Sequence, residues 1–364
     1  MPVRRRCKLL VKSAALSLQQ NKNFSYRVQQ CVSKTAKGKV LSSERRLGCY
    51  LSDACSTIST NRRFCTGANG LKMRFVQFTT RENGPQRLGV QLSQEDDIID
   101  VSGVDHSVPN GLVQFLQAGP GLLERAKRIV AEGKSVIPLK NVRLLPPVTS
   151  PDKVVCVGLN YRGHCEEQNI PAPKEPMFFS KFSSCITGPY DDVPYPPITK
   201  ELDWEVELAV VMGKTAKNVR PISAMEHVFG FTVAQDLSAR DWQKKRNSGQ
   251  FLLGKAMDSF CPLGPAVVTK EAIADPHALG IRSRVNGILK QEGNTNELIH
   301  RIDHIISFLS HVITLRPGDI ILTGTPAGVG MHRKPPEYLK VGDVLESEID
   351  GIGKMKNTIV ESKS

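Results

Sequence analysis

The stretch from Asp152 to the end is broken up by glycine and proline and carries six short apolar or alternating runs, at 154–157, 205–212, 229–235, 281–286, 320–323 and 344–349. Runs of this length between turn residues read as β-strands. Only one long stretch, 296–312, has helical spacing, with Leu298, Ile302, Ile305, Ile306 and Leu309 on one face. That stripe is the core-facing side of a helix. Many strands and one long helix must bury their apolar faces mainly through sheets, so the expected class is α/β to mainly β. Gly318-Asp319 and Gly342-Asp343 mark turns, and no solenoid-period repeat is present.

Ahead of this body, residues 73–92 read as a hairpin around Asn83-Gly84-Pro85. Helical stretches at 112–118 and 122–131 flank Gly119-Pro120-Gly121, and Leu144-Leu145-Pro146-Pro147 reads as a linker. The expected organisation is a basic leader at 1–72, a small N-terminal α+β domain at 73–148 and a larger domain at 149–364.

The net charge of +13 would point to nucleic acid if it were spread over a folded surface. It is not. Fifteen of the 49 lysines and arginines but only two of the 36 acids fall in residues 1–72, so the remainder holds 34 of each sign and is neutral. No nucleic-acid partner is expected, and no apolar run approaches the length of a membrane span. The opening MPVRRRCKLLVKSAALSLQQ is basic, contains serines, and precedes the first acid, Glu44, by a wide margin. That is the composition of a mitochondrial transit peptide, with the neighbourhood of Arg62-Arg63-Phe64-Cys65 as a removal site. Five of the nine cysteines lie in this leader, and the other four (Cys156, Cys165, Cys185 and Cys261) show no paired spacing. Reduced thiols are expected, without a zinc site.

The stretch LDWEVELAVVMG at 202–213 places Glu205 and Glu207 two residues apart on a strand, where side chains share a face. Adjacent carboxylates repel, so the pair is either a solvated strand face or a cation site. Asp236 ends the apolar run at 229–235, where the pattern predicts that a strand hands over to a helix beginning at Leu237, and it supplies a third acid. Three carboxylates without histidine or cysteine describe a hard-cation site for Mg²⁺ or Mn²⁺. His164 and Glu167 stand three apart in a turn that reads as helical, so the acid can hold the imidazole as a general base. Lys255, in Gly254-Lys255-Ala256-Met257, can aim an ammonium at an anionic ligand. The loop TGTPAGVG at 323–330 lacks a phosphate-loop pattern, but its glycines let Thr325 approach a carboxylate.

Taken in order, N-Y-x-x-H-x-x-E, E-x-E, D-x-x-x-R-x-x-Q, G-K-x-x-D-x-F-C-P and T-G-T-P-x-G-V-G resemble the fumarylacetoacetate hydrolase family over about 154–360. Gly163 and Met257 depart mildly from its pattern. The resemblance implies a mixed β-roll catalytic domain, usually homodimeric, with Glu205, Glu207 and Asp236 as ligands to Mg²⁺. It implies catalytic roles for His164, Glu167 and Lys255, and substrate contacts from Arg240, Gln243 and Thr325. Family substrates are 2-oxo carboxylates, activated through a metal-stabilised enolate. A mitochondrial branch of the family favours enol–keto interconversion of the 2-oxo dicarboxylate oxaloacetate. Acylpyruvate-type C–C hydrolysis and oxaloacetate decarboxylation are the alternatives, and a catalytically silent scaffold is the reading from another class.

Overall fold

The structure, a computed structural model, describes residues 72–362. The expected transit peptide, with its five cysteines, lies outside these residues. The N-terminal hairpin forms as β1 (Arg74–Thr79) and β2 (Arg87–Gln91), with Asn83 left-handed at φ 53° in the connection. β3 (Ile98–Ile99), α1 (Val101–Val104), α2 (Leu112–Gln117), α3 (Pro120–Glu132), β4 (Val136–Ile137) and β5 (Arg143–Leu145) follow. The expected breaker is where α3 starts: Gly119 turns at φ 93°, and Pro120 takes the first helical position, where its missing N–H costs nothing.

The chain continues through β6 (Val154–Gly158), α4 (Arg162–Glu167), β7 (Met177–Lys181), β8 (Ile186–Thr187), β9 (Val193–Tyr195), β10 (Leu202–Asp203) and β11 (Val206–Met212). Next come α5 (Pro221–Ala224), β12 (Val228–Gln235), β13 (Ser238–Ala239), α6 (Leu252–Lys255), β14 (Cys261–Thr269), β15 (Gly280–Val285) and β16 (Ile288–Asn294). The last elements are α7 (Ile302–Val312), β17 (Ile320–Leu322), β18 (Val344–Ile349) and β19 (Gly353–Glu361).

A mixed twelve-stranded sheet runs β4-β3-β2-β1-β14-β12-β11-β17-β6-β7, with β5 and β8 attached to β1 and β14. A five-stranded sheet, β16-β15-β18-β19-β9, accompanies it. β1 pairs with β14, so the large sheet runs straight through the boundary expected near residue 148. In β11, Ala209 and Val211 enter one apolar cluster. Leu208, Val210 and Met212 enter a second, together with Ile305, Ile306 and Leu309 of α7. Both faces of the strand are therefore buried, which is why the run is apolar throughout instead of alternating. The described residues include no helix long and apolar enough to cross a membrane, and their four cysteines are free thiols.

Two expected helices are corrected. The helix over 296–312 starts only at Ile302, because a capping box from Asn294 closes a separate 3₁₀ turn at Thr295–Glu297. The Ile299 N–H then donates to the Asn160 carbonyl at 2.8 Å, and the His300 N–H to Asn160 Oδ1 at 2.8 Å, instead of continuing a helix. The helix expected at Leu237 is a bridge strand, β13, paired with β10, and only at Asp241–Lys245 does one π-helical turn form.

Asn160 carries this connection: its Nδ2 also donates to the carbonyls of His300 and Thr323, at 3.0 and 2.7 Å. Asn160→Ala should lower unfolding free energy by about 3 kcal/mol, because several buried backbone groups lose their partner. Urea unfolding checks this, and a loss below about 1 kcal/mol contradicts it.

Candidate active site

β11 and β12 are antiparallel neighbours, with Glu207 opposite Ala234 and Val206 opposite Gln235. Glu205 stands just before β11 and Asp236 just after β12, so both acids leave the ladder at one end. The Asp236 N–H donates to the Glu205 carbonyl at 2.9 Å. Glu205, Glu207 and Asp236 are buried, and each offers an oxygen within 4.8 Å of the others. Grouped buried carboxylates are costly unless paired.

Three cations answer most of that cost. Lys255 Nζ donates to Glu205 Oε2 at 2.8 Å and to Asp236 Oδ2 at 2.7 Å. Lys181 Nζ lies 2.7 Å from Asp236 Oδ1 and also donates to the carbonyls of Leu237, Phe260 and Lys255. Arg240 Nη2 lies 2.6 Å from Glu205 Oε1, while its Nε donates to Asp203 Oδ2 at 2.8 Å. Burial raises the Glu205 carboxyl, but Lys255 and Arg240 outweigh it and hold the group well below the usual carboxylate range. Among the described residues Glu207 has no lysine or arginine partner; the Gly324 N–H donates to its Oε2 at 2.7 Å. Burial, then the charges of Asp236 and Glu205, push its carboxyl well above the ordinary value. Three clustered carboxylates, one of them without a countercharge and none accompanied by nitrogen or sulfur donors, fit a divalent hard cation.

Asp203, at the head of the same motif, has a different job. It accepts from the backbone N–H groups of Gly330 and Met331 at 2.7 and 3.0 Å and from Arg240, tying the 329–331 loop to the arginine.

His164 lies on α4 as expected, and its Nδ1 is 2.5 Å from Glu167 Oε1. Glu167 is itself fixed by the Gly328 N–H, which donates to Oε2 at 2.8 Å. Gln168 Nε2 contacts His164 Nε2 at 2.9 Å. An amide nitrogen only donates, so Nδ1 carries the imidazole proton and Nε2 is the acceptor. A cavity of about 210 Å³ is lined by His164, Glu205, Glu207, Arg240, Lys255 and Thr325, so residues from five separate segments converge on one space.

Other expected residues are present but already engaged. Gln243 is buried and accepts from Arg240 Nη1 at 2.9 Å. The Thr325 hydroxyl donates to the Val206 carbonyl at 2.9 Å and accepts from Gln291 at 2.7 Å, so it anchors its loop to β11 and has no proton left for a ligand. Lys181 was missed. Its signal was a lysine closing the apolar strand MFFSK, where a charge needs a buried partner. His332 was missed too; its ring stands edge-on to His164 with centroids 6.3 Å apart.

The fold and this site define a sheet-built domain with an acid-lined cation pocket beside an oriented histidine. The family described as fumarylacetoacetate (FAA) hydrolase, C-terminal, matches residues 153–360. A human relative, oxaloacetate tautomerase FAHD2A, mitochondrial, is 51% identical over 79% of this chain and 92% of its own length. Among solved structures, fumarylacetoacetate hydrolase from Exiguobacterium antarcticum superposes with TM-score 0.69 at 36% identity, covering 80% of this chain and all of the other (100%). Maleylpyruvate hydrolase from Sphingobium sp. SYK-6, solved with manganese(II) and pyruvate, gives 0.66 at 30% identity, with coverage of 80% and 100%. The chain belongs to the fumarylacetoacetate hydrolase family.

Glu207→Gln separates a ligand from a structural acid. It should weaken divalent-cation binding by at least about tenfold in calorimetry while leaving the cation-free melting temperature equal or higher, since repulsion is relieved. Unchanged affinity, or a destabilised cation-free protein, contradicts the assignment.

Proposed function

We propose that the chain is a Mg²⁺-dependent mitochondrial oxaloacetate tautomerase, with Mn²⁺ as a substitute ion, that interconverts enol and keto forms of a 2-oxo dicarboxylate. The observation that carries this reading is the glutamate-oriented His164, which lines the same cavity as Glu205 and Glu207. A proton carrier beside an anion-binding cation site is what tautomerisation requires.

Bound in the triad, the divalent ion would supply Lewis-acid stabilisation of the charge that grows on the 2-oxo oxygen. His164 Nε2 takes the proton from C3 while the C–H electron pair moves into the C2–C3 bond and the C2–O π pair moves onto the oxygen, and the imidazolium then delivers that same proton to the oxygen, giving the enol and regenerating neutral His164. Glu167, on the Nδ1–H, stabilises the imidazolium formed in that step. In the reverse direction the imidazolium returns the proton to C3. Arg240 and Lys255 hold Glu205 ionised and in place. The human relative's name as an oxaloacetate tautomerase at 51% identity supports this reaction over C–C hydrolysis, which stands in the names of relatives at 36% and 30%. The word mitochondrial in that name, with the basic leader, supports matrix import. A homodimer without nucleic-acid partners follows from the family resemblance and the neutral body.

The test is to follow oxaloacetate in D₂O by NMR. The enzyme should exchange the C3 hydrogens faster than it forms pyruvate, and His164→Asn should slow exchange by about 10²- to 10⁴-fold with divalent-ion affinity intact. Pyruvate release or acylpyruvate cleavage as fast as exchange would transfer the assignment to a decarboxylase or hydrolase.

A further inference from the structure

The sequence assigned the anionic end of the substrate to Lys255, but that ammonium is already held between Glu205 and Asp236. Arg240 is equally committed, to Asp203 and Glu205. Among the described residues lining the cavity, Lys244 is the one lysine or arginine with no carboxylate partner. It belongs to the run Lys244-Lys245-Arg246, which reads as a solvated cluster. Its two neighbours do have partners: Lys245 pairs with Glu201, and Arg246 lies over the Trp242 ring, 3.8 Å from the centroid. Lys244 instead faces the site. The π-helical turn Asp241–Lys245 follows Arg240 and carries Gln243, which presents Lys244 at the exposed rim of the same cavity.

Two aromatic rings join this rim to the floor. Lys255 Nζ lies 5.0 Å from the Phe179 centroid, Phe179 meets Phe251 edge-on at 5.7 Å, and Lys244 Nζ lies 5.2 Å from the Phe251 centroid. The cavity thus has an apolar wall with an ammonium at each end. The lower one is neutralised by acids that also form the cation site, and the upper one has no carboxylate partner among the described residues. A ligand that fits carries one carboxylate head for the floor, a short carbon chain along the wall and a second carboxylate for the rim.

We propose that Lys244 is the specificity-determining residue that recognises the distal carboxylate of a dicarboxylate substrate. This deepens the tautomerase reading by naming the group that separates 2-oxo dicarboxylates from 2-oxo monocarboxylates. Its test is a binding measurement that needs no turnover. With Mg²⁺ present, calorimetry compares malate with 2-hydroxybutyrate, which share a four-carbon 2-hydroxy carboxylate and differ in the distal carboxylate. The wild-type protein should prefer malate by roughly tenfold, the scale of one charge-assisted hydrogen bond. Lys244→Met should abolish the preference by weakening malate alone, Lys244→Arg should retain most of it, and raised salt should diminish it. Because the side chain is exposed, melting temperatures should match wild type. A wild-type protein without preference, or Lys244→Met that keeps it, overturns the proposal. Should the malate preference depend on Lys244 while oxaloacetate shows no proton exchange, the specificity assignment stands and the tautomerase reading alone fails.

Discussion

The constraint on which the site depends is charge balance in a buried space. Asp203, Glu205, Glu207 and Asp236 are all buried, and so are Lys181, Arg240 and Lys255. Four acids against three bases leave one negative charge unmatched. The imbalance falls on Glu207, whose nearest donor is a backbone N–H and whose carboxyl is pushed up by burial and its acidic neighbours. Such a cluster is expensive to build for stability alone, because well-packed apolar residues usually do as well as buried ion pairs. A divalent ion held by the three clustered acids would turn that deficit into one positive charge, which suits an anionic ligand.

The fold serves that cluster. The acids sit where β11 and β12 begin and end at the same edge, with strand walls buried on both faces holding the backbone still. The compensating lysines come from β7 and α6, and the arginine from the turn after β13. Buried amides take over where the ladder stops: Gln235 Oε1 accepts from the Glu205 N–H, and Gln291 Oε1 from the Val206 N–H, at 2.9 and 3.0 Å. The loop at 323–330 closes the same edge, and Gly324 and Gly328 donate to Glu207 and Glu167. One short loop therefore fixes both the acid cluster and the partner of the histidine.

Much of this was legible because it is local. Period-two spacing puts Glu205 and Glu207 on one face, and period-3.6 spacing joins His164 to Glu167. The six runs became strands for the same reason, with no end shifted by more than one residue. What escaped depends on distant partners. The stripe at 296–312 carries no trace of Asn160 capturing the backbone at 299–300, so the helix was read too long. Lys181 acquires meaning only beside Asp236, 55 residues further on, and Lys244 only when its two cationic neighbours are seen to be occupied. The engaged hydroxyl of Thr325 was equally out of reach of a motif.

If the three clustered acids form a divalent-cation site, anomalous diffraction from crystals grown with Mn²⁺ should show one strong peak bounded by the carboxylates of Glu205, Glu207 and Asp236. A map in which that position carries no signal, or in which Mn²⁺ is bound only by other residues, would contradict it.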